Sequence, residues 1–397
     1  MRILELPSWY IPQGGQFVQH QAKALQEQGV EVHILANVTL PWTVYKRDVL
    51  NVKRFPLRSF FVQEQGVETL RFYQRTLPRC PRWNIRLWAH RTLRLFTQYA
   101  DKYGVPDLIH VHSGTWGAYA AAKIKKKWEV PYVVTEHRGM FGQKCQLAKN
   151  YFEPWMTEFL QEGYSNADGL IPVSEQLIPK MQTFLTREVP FHVIGNIVDT
   201  DFFSPVVRTN RPTDSMPFRF VSVNGYYAVK GYDILLRAWD QLCDQVPNCE
   251  LRIVGENFEQ EEFQHLLMQC RHRDRISFAG EIGKEGVREE LSKANTFVLS
   301  SRVEAAPVAV LEALSMGLPV VGTEVVPEYV LSKEQGIRVP VEDTGALAEA
   351  MEQIMKDVAL YNAETQHAHA VNIAYKENIA KQLIEVYKEV LDRAAKI

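Results

Sequence analysis

Cysteine is scarce and scattered. Cys80, Cys145, Cys243, Cys249 and Cys270 make five, an odd number with no CxxC pair. That pattern supports neither a disulfide framework nor a zinc site, and a reducing compartment is the expectation. Net charge is equally slight, −2 from 45 basic and 47 acidic residues, so the molecule as a whole has no bias toward nucleic acid. No stretch reaches the roughly 18 uninterrupted apolar residues of a membrane-crossing helix. Residues 305–322 come nearest, and Glu312 lies near their middle. Arg2 and Glu5 interrupt the opening MRILELPSWY, which is not expected to act as a signal peptide. No repeat with a period of about 20–50 residues is visible. A soluble or peripheral protein is expected.

What is present is a regular alternation. A chain of 397 residues with 46% hydrophobic and 23% charged composition is too long for one ordinary core, and two domains of similar size are expected. Short apolar runs at residues 1–6, Val30–Ala36, Leu108–His112, Tyr132–Glu136, Gly169–Val173 and His192–Ile194 read as strands. Amphipathic stretches separate most of them, the first from about Phe17 to Gln28, closed by Gly29. The polar segment Arg208–Pro217 reads as a linker. The pattern then restarts, with strands at Phe218–Val223, Glu250–Val254, Ile276–Ala279, Thr296–Ser301 and Leu318–Gly322. The intervening helices are expected at Tyr232–Asp244, Glu259–Arg271, Val287–Lys293, Val308–Met316 and Gly345–Met355, and helical stretches continue through Lys376–Lys396. Continuously apolar strands alternating with helices specify parallel sheets in doubly wound α/β domains. Ligands of such sheets bind beyond the carboxyl ends of the strands. Two domains turning those ends toward each other are expected to form a site in a central cleft.

The segment Glu304–Glu312, EAAPVAVLE, concentrates chemistry. Glu304 follows the expected strand Thr296–Ser301, and Glu312 lies inside the next helix. Pro307 suits the first helical position, where its missing N–H costs nothing. Ala305 and Ala306 allow close approach of a ligand to the backbone, and first-turn amides favour phosphate. Carboxylates beside a phosphate-binding turn point to a ligand with both phosphate and sugar hydroxyls. The alternative leaves Glu304 as a surface acid and Glu312 as a helix-face acid. Asp199 and Asp201 form a DTD triplet whose place in the chain reads as turn chemistry.

The stretch SSRVEAAPVAVLEALSMGLPVVGTEV (Ser300–Val325) resembles the signature of retaining glycosyltransferase family 4, nucleotide-sugar-dependent group 1, with the GT-B fold. MRILELPSWYIPQGGQFVQHQAKALQEQGVEVHIL, DLIHVHS, VVTEH, ADGLIPVSEQL and IGNIVDTDFFSP resemble the acceptor half and the interdomain segment. VSVNGYYAVKGYDILLRAW, LRIVGE and ISFAGEI resemble the donor half. The resemblance covers nearly the whole chain. It implies two Rossmann-like α/β domains, an acceptor-side domain at 1–195 and a donor-binding domain at 196–375, with a C-terminal helix at 376–397 returning to the first.

The resemblance also implies roles. Glu304 lies by the donor sugar near the reacting carbon, and Glu312 binds the ribose hydroxyls. Lys230 neutralises the leaving diphosphate, and Gly14 and Gly15 approach that diphosphate from the first domain. His137 reaches the donor sugar, with a satisfied core histidine as its alternative reading, and His112 is a weaker candidate. Gly225, Glu256, Ile282, Ala306, Pro307 and Val308 complete the donor-binding set. Two departures stand out. The turn before the helix is Ala-Ala-Pro where a common form has glycine, and Gly225 stands where the family usually has arginine, leaving Arg138 or Arg302 to substitute. No metal and no cofactor are expected.

Between Pro41 and Ala100 twelve Lys or Arg face only Asp48, Glu64 and Glu68. A helix is expected from Pro81, with Arg82, Arg86, His90 and Arg94 along one face and Trp83, Trp88, Leu95 and Phe96 interspersing apolar surface. Such a 75–94 segment suits anionic lipid or an acidic acceptor, and a solvated helix face is its alternative. The expectation is a cytoplasmic transferase, peripheral at the inner face of the membrane. It moves a hexose from a nucleoside diphosphate sugar, UDP ahead of GDP, to a glycan or lipid-linked hydroxyl in surface polysaccharide synthesis, with no nucleic-acid partner. The rivals are a nucleotide-sugar epimerase and a catalytically silent sugar-nucleotide-binding protein, which product analysis with and without acceptor separates.

Overall fold

The computed structural model describes residues 1–11, 15–41, 55–139, 154–206 and 217–396. They form two compact units, one drawn from residues 1–197 and 376–396, the other from 198–375. The expected linker Arg208–Pro217 lies, apart from Pro217, outside the described residues.

The first unit is built on a seven-stranded sheet among the described residues, in the order β3-β4-β2-β1-β5-β6-β7. These strands are Arg2–Pro7 (β1), Glu31–Pro41 (β2), Phe60–Glu64 (β3), Val67–Thr76 (β4), Leu108–His112 (β5), Tyr132–Glu136 (β6) and Gly169–Pro172 (β7). All neighbours pair in parallel except the edge pair β3–β4, an antiparallel hairpin that hydrophobic alternation did not reveal. The hairpin was missed because its residues are mixed polar and apolar, with Gln63, Glu64, Glu68 and Arg71 in the ladder. The expected strand His192–Ile194 is absent as such. There the chain forms a single bridge, from Phe191 to Leu170.

The helix Pro81–Tyr103 begins with proline in its first turn, as expected. Its apolar residues divide differently from the expected surface. Trp88, Leu95 and Phe96 are buried, and only Trp83 stays out, 62% exposed. Trp88 also donates its indole N–H to the carbonyl of Asn37 at 2.7 Å, which satisfies the polar atom of a fully buried ring.

The last helix, Lys376–Ala394, completes the core of this unit. Its Ile379, Leu383, Val386, Tyr387 and Val390 pack in one cluster with Val18, Ala22 and Leu25 of the helix Gln16–Glu27 and with Ile3, Val32 and Ile34 of β1 and β2. The spacing of those residues is the stripe of an amphipathic helix.

The second unit has a six-stranded, fully parallel sheet among the described residues, ordered β10-β9-β8-β11-β12-β13. Its strands are Phe218–Val223 (β8), Cys249–Val254 (β9), Ile276–Gly280 (β10), Thr296–Leu299 (β11), Val320–Thr323 (β12) and Gly336–Val339 (β13). The strand β13 was not anticipated. It is short, and its Gly336, Arg338 and flanking Gln335 blur the apolar signal. Helices at Tyr232–Gln245, Glu261–Gln269, Lys284–Lys293, Val308–Ser315, Thr344–Asp357 and Ala363–Ala374 accompany the sheet, close to their expected positions.

Leu383→Ala is expected to destabilise the first unit by about 2–5 kcal/mol, because Leu383 is 1% exposed within its core. Leu360→Ala, at a side chain 79% exposed, is expected to stay within about 0.5 kcal/mol of the parent. Urea unfolding of both variants checks the pair, and equal midpoints would remove the helix from the core.

Candidate active site

In each sheet the strand order reverses at one place. In the second unit that place lies between β8 and β11, since chain order runs outward from them on both sides. Open parallel sheets take ligands beyond the carboxyl ends of the strands at such a reversal. Lys230 follows β8 and Glu304 follows β11, so the fold delivers these two sequence candidates to one point. Lys230 Nζ donates to Glu304 Oε1 at 2.7 Å, with the side chains 22% and 9% exposed. Ser301 Oγ donates to the same carboxylate oxygen at 2.6 Å.

The backbone explains how the two loops come this close. Gly231 adopts φ +67, and a Cβ there would sit 2.1 Å from the carbonyl oxygen of Ser300. Only glycine combines that left-handed conformation with that approach. Ser300 Oγ donates to the Lys230 carbonyl at 2.9 Å, and the Arg302 amide donates to the Val229 carbonyl at 2.7 Å. The Arg302 guanidinium donates to both oxygens of Asp233 at 2.8 Å, to the Ala228 carbonyl at 2.7 Å and to Glu342. Burial opposes the charge of Arg302, but its two carboxylate partners overcome that and raise its pKa further. Arg302 therefore fastens the two loops together, and its charge is taken up by that work.

Pro307 occupies the cap position of the helix Val308–Ser315, with ψ 110, not the first helical position expected for it. The Pro307 carbonyl accepts from the Val310 amide at 3.1 Å. Ala305 and Ala306 are buried in the turn before it. Glu312 lies in the second turn of this helix. Its carboxylate has no hydrogen-bond or ion-pair partner among the described residues, and burial pushes its pKa up to about 7. A half-buried acid without a partner is a costly feature, and such groups gather at functional sites.

Gly225 follows β8, and a Cβ there would meet Glu256 Cγ and Tyr227 Cε2 at 2.9 Å each. Tyr227 donates its hydroxyl to Glu256 Oε1. The space a larger side chain needs is held by this tyrosine–glutamate pair. Ile282 is half-buried beyond β10 and packs at the edge of an apolar cluster with Val223 and Val287. Asp199, from the DTD triplet, accepts from the Phe202 amide at 3.1 Å, which is turn chemistry.

In the first unit the reversal lies between β1 and β5. Gly15 stands at the start of the helix Gln16–Glu27 with φ +82, and a Cβ there would lie 2.7 Å from the Trp9 carbonyl oxygen. Gly14 lies outside the described residues. His137, just past β6, has both ring nitrogens engaged. Nε2 lies 3.1 Å from His112 Nδ1, and Nδ1 lies 3.0 Å from Asn196 Oδ1. Burial, and then the neighbouring His112, pushes the His137 pKa down to about 3, so the ring is neutral at ordinary pH. The Phe17 ring leans on it with centroids 4.2 Å apart. Arg138 is clamped by Glu136, at 2.8 Å from Nε and 2.9 Å from Nη2, and by Thr115. Burial raises the Glu136 pKa, yet Arg138, Tyr164 and the Gly114 amide together hold it down to about 2.

Sequence reasoning missed Glu5, Gln21, His110 and Asn196, which surround His112 and His137. The available signal was a glutamate in the otherwise apolar LELP of β1 and two histidines two positions apart in LIHVH of β5. A two-residue spacing puts both rings on one side of the strand.

With this geometry in place, comparison with known proteins decides the family. A profile described as Glycosyltransferase Family 4 matches residues 14–202, and one described as Glycosyl transferases group 1 matches residues 217–357. The chain belongs to the family 4, group 1 glycosyltransferases. This glycosyltransferase is 25% identical over 367 residues to WcaL of Escherichia coli K12, named for colanic acid biosynthesis, covering 84% of this chain and 86% of that one. It spans only 24% and 57% of the length of two other curated relatives it matches. In structure it is similar to sucrose-phosphate synthase from Thermosynechococcus elongatus, with a TM-score of 0.79 at 21% identity over 99% of this chain and 100% of that one. Anabaena HepE in complex with UDP gives a TM-score of 0.72 at 16% identity, over 98% of this chain and 100% of that one. The fold is GT-B.

The acid in the second turn sets a pH dependence. Folding raises the Glu312 pKa from the ordinary 4.5 to about 7, so the unfolded chain gives up this proton first as pH rises. The associated stability is complete below about 4.5 and is lost as pH rises through about 7. Glu312→Gln, which cannot ionise, is expected to gain melting temperature relative to the parent between pH 5 and pH 8. An offset that stays constant across that range would show that burial does not control this carboxyl.

Proposed function

We propose that this glycosyltransferase is retaining and metal-independent. Its donor is a nucleoside diphosphate hexose, UDP ahead of GDP, and its acceptor is a hydroxyl of a glycan or lipid-linked molecule in surface polysaccharide synthesis. The observation that carries the reading is the Lys230–Glu304 pair at the strand-order reversal, followed by a helix whose second turn holds Glu312, unpartnered among the described residues. A cation, first-turn amides and two carboxylates suit a ligand with both diphosphate and hydroxyls. The UDP bound by HepE and the colanic acid role in the name of WcaL support the choice of donor and pathway class.

In this reading Lys230 neutralises charge on the departing β-phosphate, and a fixed cation does so without reorganising as the charge develops. The bond from the anomeric carbon to the diphosphate oxygen breaks. The acceptor oxygen bonds to the same face of that carbon, and its proton passes to the leaving phosphate. Glu304 lies beside the reacting carbon, Glu312 accepts hydrogen bonds from the ribose, and His137 meets a sugar hydroxyl. Gly15 permits close backbone approach to the diphosphate, and Ala306, Pro307 and Val308 shape the turn that the sugar approaches. With Glu312 assigned to ribose, Glu304 has no second carboxylate of the segment Glu304–Glu312 beside it to act as the paired nucleophile used by retaining glycosidases.

Lys230→Ala is expected to lower kcat by about 10²–10³-fold. Glu304→Gln is expected to lose transfer while the melting-temperature shift given by UDP-sugars persists. Undiminished transfer by Glu304→Gln at native donor affinity ends the catalytic reading. A larger stabilisation by GDP-sugars than by UDP-sugars reverses the choice of base. Product formed without acceptor, as an epimerised sugar nucleotide, replaces transfer with epimerisation.

The same proposal extends to the membrane. Arg82, Arg86, His90 and Arg94 are all exposed on the helix Pro81–Tyr103, beside exposed Trp83 and Leu87. Glu158 lies 3.7 Å from Arg82 and 3.4 Å from Arg86. Cations interleaved with an exposed tryptophan suit an anionic lipid surface. Flotation with phosphatidylserine-containing vesicles is expected at low salt and not at high salt, and Arg82→Glu with Arg86→Glu is expected to abolish it. Absence of salt-sensitive flotation removes this contact.

A further inference from the structure

We propose that Cys243 and Cys249 form a peroxide-sensitive modification site, closing a reversible disulfide where the helix Tyr232–Gln245 passes into β9. The two sulfurs lie 3.7 Å apart, in contact. Cys243 is 4% exposed and Cys249 is 3% exposed. Cys243 stands in the last turn of its helix, and Cys249 opens the strand. The sequence there reads CDQVPNC, which is not a CxxC spacing, so only the fold brings the sulfurs together.

The surroundings suit a reactive pair. A buried free thiol commonly behaves as a small hydrophobe among apolar neighbours. Here Arg275, just before β10, acts on both sulfurs. Its Nη1 is buried and has no hydrogen-bond partner among the described residues. A neutral thiol is a weak acceptor for such a donor, and a thiolate is a strong one. A guanidinium beside a cysteine is a setting in which thiolates form.

The contacts also separate the two sulfurs. Cys249 Sγ lies 3.4 Å from the Val246 carbonyl, which can only accept. A thiol has one hydrogen, so with that of Cys249 given to Val246, the sulfur–sulfur contact takes the hydrogen of Cys243. This hydrogen bond from Cys243 lowers the Cys249 pKa; burial opposes it, and the charge of Arg275 adds to it. The same bond, and then burial, raises the pKa of Cys243. Cys249 is the sulfur placed to ionise.

The chemistry balances with a peroxide as the oxidant. The Cys249 thiolate attacks one peroxide oxygen, and the O–O bond breaks. The hydroxide that leaves takes the proton Cys249 gave up and becomes water. Cys249 is then a sulfenic acid. The Cys243 sulfur attacks the Cys249 sulfur, the S–O bond breaks, and the second hydroxide leaves with the Cys243 proton as water. Two thiols lose two electrons and one peroxide gains them. The sulfurs must close from 3.7 Å to about 2.05 Å, which rotation about the Cα–Cβ bonds supplies. Pro247 and Asn248 are exposed, so the turn beside the pair faces solvent.

Cys270 is the internal contrast. It is also 3% exposed, but its sulfur lies 3.3 Å from Asp240 Oδ1 and touches no second sulfur among the described residues. Burial, and then Asp240, pushes its pKa up to about 12. The Cys243–Cys249 pair lies at the amino end of β9, and Lys230 and Glu304 follow the carboxyl ends of their parallel strands. The site is therefore independent of the transfer chemistry proposed above.

Peptide mapping of the full chain tests this. Trypsin cuts after Arg237, Arg252 and Arg271, so both cysteines fall in one peptide, residues 238–252, and Cys270 falls in the next, residues 253–271. The protein is treated with hydrogen peroxide, quenched, unfolded in an alkylating reagent and digested. The expected 238–252 peptide is two hydrogens lighter and carries no alkyl group, while Cys270 is still alkylated. Dithiothreitol before alkylation is expected to restore both alkyl groups. A doubly alkylated 238–252 peptide, under peroxide that oxidises the more exposed Cys80, overturns the proposal. So does a two-hydrogen loss that persists in Cys249→Ser. The oxidised protein is expected to melt no more than about 5 °C below the reduced one. A larger fall shows that the bond forms only when the turn unfolds, and it also overturns the proposal.

Discussion

The approach of the Gly231 backbone to the Ser300 carbonyl is the constraint on which the second unit's site depends. Two strands adjacent in the sheet end side by side, and their following loops can share a site only if the chains nearly touch. A residue with a Cβ would hold them apart, and Lys230 and Glu304 would lose their common position. The contact is not left to the glycine alone. Arg302 binds the Ala228 carbonyl and Asp233 on one side and Glu342 on another, so a buried cation ties three segments together. A guanidinium suits this work because its planar fork meets a carboxylate with two parallel hydrogen bonds. The same commitment bears on position 225, where the family resemblance leads one to expect arginine and this chain has glycine. Arg302 is occupied, Arg138 is clamped on Glu136, and Tyr227 with Glu256 fills the space a side chain at 225 would take.

The first unit meets the same topological situation with a different chemistry. Where its strand order reverses, the buried polar groups are a carboxylate and histidines in place of a lysine–glutamate pair. Burying Glu5 is costly unless its oxygens are satisfied, and Gln21 and His112 satisfy both. A polar network this deeply buried is stabilising only when every member has its partner, which makes the residues interdependent.

Much of the fold was legible because buried parallel strands write themselves as short apolar runs, and runs such as Val30–Ala36 or Phe218–Val223 need no tertiary information, although the strand beginning at Glu31 continues to Pro41. The hairpin Phe60–Thr76 was not legible, since an edge pair with charged ladder residues carries no such run. At the site, Glu304 and Glu312 were readable from their places after a strand and within a helix, and Lys230 from the family resemblance. Their meeting was not, because it depends on which strands are neighbours. Glu5 and His110 were hidden for the opposite reason. Each sits inside an apolar strand, where a single polar residue looks incidental until the sheet sets β1 against β5. Pro307 shows a smaller limit: its fixed φ suits both the cap and the first helical position, and only ψ separates them.

The helix Lys376–Ala394 has a consequence for how the chain is made. It supplies Leu383, Tyr387 and Val390 to a core most of whose other members come from the first forty residues. The second unit is therefore an insertion within the first, entered near residue 198 and left near residue 375. As the chain emerges during synthesis, the second unit's strands are complete before the first unit can close. The nascent first unit waits with an uncovered apolar groove and with His110 lacking its tyrosine, so the part of the protein begun first is the part finished last.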